Sequence, residues 1–308
     1  MRRRDFLRWQ MQAALLLGSG LALPTMGLAA EETASKWPDV VIAKGDPARA
    51  TRTAIKALGG MGRFVAPGQK VVIKPNMSFA RTPELAANTH PLVVREVLIM
   101  CKEAGAARVR VLDHSLQDPE RALTLSGIRE ACDSIENGLC HHLMDNSFYR
   151  ETRLPKAAEM HSNLVMKDVL EADVLIALPV AKSHGGAGVS LSIKGQMGLI
   201  YDRKIMHGRY DLHVSLVDLL QGVRPHLAII DATRVLTTGG PGGPGKVLTP
   251  GEIIASADPV AADATAVAAY EWYGRKMQPG QVGHIRIAHE RGLGRMDIEN
   301  LNTKRLEA

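Results

Sequence analysis

The sequence predicts an α/β protein with a mostly parallel sheet flanked by helices in a single large domain. Three observations carry this. Short apolar or β-branched runs, among them Val71-Val72-Ile73, Val109 to Leu112, Val174 to Leu178 and Leu227 to Ile230, alternate with stretches of helical period. Charged residues stand just past those runs: Lys74, Asp113 and Asp231 each follow one directly, and Lys182 follows the run 174–178. In open α/β sheets, ligands sit beyond the carboxyl ends of the strands. No linker rich in proline, serine or charge divides residues 31–308, so one domain is expected there.

The elements follow in order. Val40 to Ala43 reads as a first strand and Ala48 to Leu58 as a helix, closed by Gly59-Gly60-Met61-Gly62. Pro67-Gly68 is a turn before the strand at Val71. Thr89-His90-Pro91 opens a helix from about Leu92 to Ala104, since proline fits the first helical position. Val109 starts the next strand, and Ile128 to Cys132 continues a helical pattern. Residues 138–160 mix strand and loop signals. The central run Val174 to Leu178 ends at Pro179, which lacks the N–H needed for ladder pairing and is expected to stop the strand. Leu212 to Leu220 reads as a helix with Leu212, Leu216, Leu219 and Leu220 on one face. Ile253 to Ser256 is a strand, a helix runs from Pro259 to about Tyr273, and residues 284–308 read as a short helix and a polar tail.

The first 30 residues read as a leader rather than as part of the fold. Arg3-Arg4-Asp5-Phe6-Leu7-Arg8 resembles the twin-arginine export consensus, and the apolar run Ala13 to Leu23 is too short for an ordinary membrane span. Small residues from Gly27 to Ala30 precede Glu31-Glu32, as at a signal peptidase site, so cleavage near Ala30 and a periplasmic location are expected. The twin-arginine export machinery is then one partner. Arg2, Arg3, Arg4 and Arg8 against Asp5 give the leader half of the net charge of +6. The remainder is too weakly basic for nucleic acid, and an aromatic content of 4% argues against a base-stacking surface.

Three cysteines, Cys101, Cys132 and Cys140, leave at least one unpaired thiol, and no C-x-x-C spacing occurs. Cys101 lies in an apolar helical pattern and reads as a core residue, while Cys132 and Cys140 are a candidate pair.

The stretch Val174 to Ile200 carries the chemistry. After its strand come Lys182, Ser183 and His184, a turn Gly185-Gly186-Ala187-Gly188, and then Lys194 between Ser192 and Gly195. Ammonium groups bind phosphate or carboxylate, and a buried lysine can lose its proton and act as a base or nucleophile. Lys182, His184 and Lys194 are therefore the candidate catalytic residues. Lys74, Asn76, Asp113, Gly186, Gly188, Gly240 and Gly242 are candidate ligand contacts. Lys182 and His184 are expected beyond the strand and exposed to a cleft, so that replacing them costs little packing energy. Each of these residues also has a bland reading, because strand ends reach solvent and loop residues are usually polar.

Other motifs carry weaker signals than that site. Gly240 to Lys246 spells G-x-x-x-x-G-K, but Val247 replaces the magnesium-binding serine or threonine and two prolines remove amides, which argues against a nucleotide P-loop. A mobile glycine–proline loop bordering the site is the alternative. Ser183-His184 lacks a G-x-S-x-G elbow, which argues against a serine hydrolase. Histidine with carboxylate suits zinc or non-haem iron, and Asp231, His213 and Asp263 are the metal candidates, with His184, His207, Asp211 and Asp258 as further donors. Asp258-Pro259 equally fits a helix cap followed by proline.

VVIKPNM at 71–77, the threonine–histidine–proline step at 89–91, PVAKSHGGAGVSLSIKGQMGLI at 179–200, IIDATRVLTTGGPGGPG at 229–245 and SADPVAAD at 256–263 together resemble the domain of unknown function family 362. The resemblance implies the architecture. Many members are described as iron–sulfur proteins because a ferredoxin-like cysteine-rich module is joined to this core. The present sequence lacks those cysteines, so it contains no cluster motif, and a redox partner protein stays open as a candidate. Two classes of function remain. One is an exported enzyme with a cleft for an anionic small molecule or cofactor, metal-dependent or redox-linked chemistry staying open. The other is a non-catalytic periplasmic protein that binds or delivers a ligand or cofactor.

Overall fold

A computed structural model describes residues 36–308. The twin-arginine motif and the cleavage position near Ala30 lie outside the described residues. In chain order the strands are β1 (Val40–Lys44), β2 (Lys70–Pro75), β3 (Arg108–Asp113), β4 (Cys140–His142), β5 (Tyr149–Arg153), β6 (Ser162–Met166), β7 (Val174–Leu178), β8 (Val180–His184), β9 (Gly188–Ser190), β10 (Leu227–Leu236), β11 (Val247–Leu248), β12 (Glu252–Ser256), β13 (Glu271–Trp272), β14 (Arg275–Lys276) and β15 (Thr303–Glu307).

The main sheet has the order β15-β1-β12-β10-β7-β2-β3-β4. The pairs β15–β1, β10–β7, β7–β2, β2–β3 and β3–β4 are parallel. β12 runs against both of its neighbours, β1 and β10. The sheet is therefore mostly parallel, as the alternation of strand and helix signals implies.

Both faces of the sheet are covered, and period-two alternation sorts the side chains between two cores. In β1, Val40 and Ile42 face one core while Val41 and Ala43 face the other; in β7, Leu175 and Ala177 oppose Val174, Ile176 and Leu178. The helices Pro47–Ala57 and Pro91–Glu103 pack on the second core, and Leu212–Gly222, Pro259–Ala269 and Gly283–Glu290 on the first. Three helices open as proline at the first position requires. Asp46 accepts from the Ala48 and Arg49 amides at 3.1 and 3.2 Å, His90 Nδ1 accepts from Leu92 at 3.1 Å, and Asp258 accepts from Val260 and Ala261 at 2.8 and 3.2 Å. Asp211 is likewise a cap, accepting from the Val214 amide at 2.9 Å. Asp258 and Asp211 are thus occupied at helix starts.

β7 ends at Leu178, before Pro179, as expected, although the Pro179 carbonyl accepts the Asp231 N–H at 2.8 Å and pairing resumes at once in β8. A missing donor leaves the acceptor side of a ladder intact. Three sequence expectations are corrected. The run Leu227 to Ile230 continues through Leu236, so Asp231 lies inside β10 rather than beyond it. The helix from Pro259 ends at Ala269 and yields to the β13–β14 hairpin. The tail contains β15, exposed along most of its length, which pairs with β1 from Val40↔Thr303 to Lys44↔Glu307.

All three cysteines are buried free thiols, so Cys132 and Cys140 are not paired. Burial pushes the Cys101 thiol up to about 12, in keeping with a core position. Among the described residues no helix is long and apolar enough to cross a membrane.

Candidate functional site

At the carboxyl edge of β2, β3 and β7 lies a cavity of about 980 Å³. Its inner wall is cationic. Lys74 closes β2, Lys182 lies in β8, Lys194 sits on the short helix Ser192–Gly195, and Arg203 and Lys204 follow from the next loop. Asp113 and Asp202 are the carboxylates that line it.

Asp113 is fully engaged. Its Oδ1 lies 3.1 Å from Lys74 Nζ and accepts the His114 N–H at 2.9 Å; its Oδ2 accepts from Ser78 Oγ at 2.8 Å and the Met77 N–H at 3.2 Å. Burial opposes its charge, but Lys74, His142 and the Ser78 hydroxyl outweigh burial and hold the carboxyl below its usual range. Lys74 is 2% exposed, and burial lowers its ammonium in spite of Asp113. A backbone crossing packs against this ion pair: a Cβ on Gly198 would stand 2.0 Å from Asp113 Oδ1 and 2.4 Å from Lys74 Cε, so only glycine fits.

Among the described residues Lys182 and Lys194 have no carboxylate of their own. Lys182, 2% exposed, donates to the Ala87 carbonyl at 2.6 Å and sits 4.8 Å from the centroid of the Phe79 ring. Burial pushes it down to about 7, with Lys194 and Lys74 adding to the effect and Asp113 opposing it. Lys194, 8% exposed, is pushed down to about 8 by burial and by the charges of Arg203 and Lys74. Among the described residues no protein acceptor holds its ammonium. Arg203 donates to the His114 and Ser115 carbonyls at 2.9 and 3.0 Å, and burial lowers it. Lys182 and Lys194 are therefore buried, and the expectation that Lys182 stands beyond the strand, exposed to a cleft, is corrected: it lines the cavity but is buried and pairs with Ser190 inside the β8–β9 ladder.

His184 ends β8 on the same strand face as Lys182. Its Nδ1 accepts from the Gly186 and Ala187 amides at 3.2 and 3.1 Å, so the proton sits on Nε2. Burial and the nearby Lys194, His207 and Lys182 push it down to about 3. The ring is neutral and its basic nitrogen is occupied, so of the two catalytic roles open to it, proton donor or acceptor, the arrangement leaves it a hydrogen-bond donor. His207 stacks on it at 5.9 Å.

The remaining candidates divide. Asn76 lines the cavity, and its Oδ1 accepts the Val180 N–H at 3.0 Å. Gly186 lies in the β8–β9 turn and Gly188 opens β9, and neither lines the cavity. The glycine–proline loop borders it through Pro241. That loop is tied down: Gly240 N–H donates to Ser183 Oγ at 3.0 Å, and the Gly242 carbonyl accepts from Arg81 Nε at 3.2 Å.

The metal candidates do not converge. Asp231 is enclosed by the His90 amide at 2.7 Å, Arg234 Nη2 at 2.9 Å and the Thr233 amide at 3.0 Å. His213 Nδ1 accepts the His284 N–H at 3.1 Å, and the two rings stack at 5.4 Å. Asp263 accepts from the Ser192 and Ile193 amides at 2.8 and 2.9 Å, behind the helix that carries Lys194. Burial pushes its carboxyl up to about 7 against the pull of those amides. Among the described residues no group of three or more histidines, cysteines or carboxylates is placed to hold a metal ion.

Sequence reasoning missed Arg203, Lys204, His114, Tyr201, Ser78 and Phe79, all on the cavity wall. His114 was within reach of the strand-end rule that found Asp113. Arg203 and Tyr201 follow no strand and carried no such signal.

The family described as domain of unknown function (DUF362) matches residues 71–268. The chain is 26% identical over 224 residues to a thylakoid-associated protein of Synechocystis sp., a match covering 69% of this chain and 66% of that protein. Among solved structures it is similar to the lactate racemase apoprotein of Thermoanaerobacterium thermosaccharolyticum, with a TM-score of 0.45 and 14% identity over 71% of this chain and 54% of that one. A Thermotoga maritima protein is similar with a TM-score of 0.35 and 12% identity, over 61% of this chain and 51% of that one. The matches thus span just under two thirds of the curated relative and about half of each solved structure.

Proposed function

The chain belongs to the DUF362 family, and we propose that it is an exported enzyme whose cationic cavity takes an anionic small molecule and exchanges protons with it. One observation carries this reading: Lys182 and Lys194 face the same cavity, buried, and among the described residues neither has a carboxylate partner. A buried charge without a partner is costly. Phosphate or carboxylate oxygens would supply the missing partners.

The catalytic half of the reading rests on where these lysines titrate. Values of about 7 and about 8 let both groups gain and lose protons near neutrality, which general acid–base catalysis needs. Lys194, which has no protein acceptor among the described residues, is assigned the proton exchange. Lys182 and Arg203 hold the charge of the ligand, and Lys74 with Asp113 fixes the floor. The His184 Nε2–H serves as a neutral donor. A carrier with no turnover is the second reading, and the burial of both lysines in the inner wall of the cavity favours chemistry over simple release.

Calorimetry on the purified mature protein with phosphate, pyrophosphate and dicarboxylates tests the binding. Lys182→Met and Lys194→Met should each weaken it by roughly ten- to a hundredfold, on the order of 1.5–3 kcal/mol. Equal affinity in wild type and both variants would remove the proposal. Export rests on Arg3-Arg4 and Phe6-Leu7. Changing both arginines to lysine should hold the precursor in the cytoplasm, and normal periplasmic accumulation of that variant would count against it.

A further inference from the structure

The cavity has a second half that the cationic wall does not use. A volume of about 980 Å³ is at the upper end of sites for drug-sized ligands, and a small inorganic anion fills a minor part of it. The outer wall is apolar and aromatic. Leu116 is 59% exposed, Met144 38% and Tyr201 37%, and all three line the cavity mouth. Large exposed apolar side chains gathered at one opening mark a binding surface.

The aromatic part of this wall is built rather than incidental. His114 and Tyr201 stack with centroids 5.7 Å apart and planes 22° from parallel. Tyr149 backs both rings, at 5.9 Å from His114 and 5.2 Å from Tyr201, and its hydroxyl donates to the Leu143 carbonyl at 2.6 Å. Tyr149 is buried and fixed, while His114 and Tyr201 border the cavity. His114 Nδ1 lies 3.3 Å from the Ile200 carbonyl, and burial together with Arg203 lowers its ring below the ordinary range. Arg203 connects the two halves, because it donates to the backbone carbonyl of His114 while its charge bears on Lys194.

We infer that the ligand is an amphipathic anion, with a phosphate or carboxylate held by Lys182, Lys194 and Arg203 and a planar aromatic ring lying against His114 and Tyr201 between Leu116 and Met144. This inference rests on the anionic reading of the cavity and narrows it. Aromatic faces attract planar rings by offset stacking, and a preformed, backed platform loses little side-chain freedom on binding.

The test compares inorganic phosphate, phenyl phosphate and butyl phosphate by calorimetry, on the mature wild-type protein and on Tyr201→Ala and Tyr201→Phe. Phenyl phosphate should bind about tenfold tighter than phosphate and tighter than butyl phosphate. Tyr201→Ala should bring the phenyl-to-phosphate ratio close to one, and Tyr201→Phe should restore it. Tyr201 is partly exposed, so both variants are expected to fold, and circular dichroism checks this. Equal affinities for phosphate and phenyl phosphate in the wild type would overturn the inference while leaving the anion reading in place. Butyl phosphate matching phenyl phosphate, with Tyr201→Ala changing neither, would overturn the ring in favour of an aliphatic chain. Binding of none of the three would remove the anion reading and this inference together.

Discussion

Asp113 and Asp231 both follow apolar strand residues at the same edge of the sheet, yet they serve opposite ends. Asp113 borders the cavity and anchors Lys74 at its floor. Asp231 is wholly buried inside β10 and joins the start of the helix Pro91–Glu103, through the His90 amide, to Arg234. The contrast with Lys194 is sharper still, because its ammonium has no protein acceptor among the described residues. A polar residue at this edge of the sheet can meet a ligand directly only where bonding capacity is left over after folding, as at Lys194; Asp113, like Asp231, spends its capacity within the fold and acts on the cavity through the lysine it holds.

The largest effect expected from this contrast is at Asp231. Asp231→Ala strips the carboxylate from the buried Arg234 and from two backbone amides. It should cost about 3–5 kcal/mol of stability by denaturant unfolding. Ligand affinity per folded molecule should be unchanged, and a selective loss of affinity would erase the distinction between the two acids.

A smaller and opposite effect is expected at the cavity. Lys182→Met and Lys194→Met each replace a buried ammonium with an apolar chain of similar length. Near pH 7 both variants should unfold at or above the wild-type temperature while binding the anion less well. A fall in melting temperature with binding intact would show these lysines to be structural.

The finest test uses pH. An ordinary lysine titrates at 10.5, against about 7 for Lys182 and about 8 for Lys194 in the fold. As pH falls from 10.5 toward those values, the unfolded chain takes up protons that the folded one does not, so stability falls with pH across that window and levels off below it. The lysine-to-methionine variants should flatten this slope. Anion affinity should run the other way, decreasing as pH rises through about 7 to 8, with net proton uptake on binding at and above those values and none well below them. Calorimetry in two buffers of different ionisation enthalpy measures that uptake, and its absence would separate binding from these lysines.

Much of the fold was legible because burial on both faces makes strands read as apolar runs. Val174–Leu178 is placed as expected, and the helices opened by Pro47, Pro91 and Pro259 start within a residue of their caps. β15 was not legible: its sequence Thr303–Glu307 is polar because it lies on an exposed edge, where pairing comes from the backbone and leaves no apolar pattern. In the candidate site, the stretch after Val174–Leu178 supplied Lys182 and Lys194, which line the cavity, while Gly186 and Gly188 of its glycine-rich turn do not. Tyr201 and Arg203 were not legible, because they reach the cavity by tertiary placement after the short helical turn Gln196–Leu199. The metal candidates failed for a related reason. Spacing in sequence shows which donors exist, but not whether helix caps and buried amides already occupy them.

The strand order has a consequence for how the chain is made. β1 emerges early but lies between β12 and β15, pairing Val41 with Ala255 and Val40 with Thr303. Its partners are synthesised more than about 200 residues later, at roughly 5–20 residues per second. Until then an apolar Val-Val-Ile-Ala segment has no sheet to join. Such distant pairings slow folding and prolong the exposure of sticky strand edges. The nascent protein thus spends the later part of its synthesis dependent on whatever shields that first strand, and the half-sheet β7-β2-β3-β4, whose strands all lie within residues 70–178, is the part able to assemble while it waits.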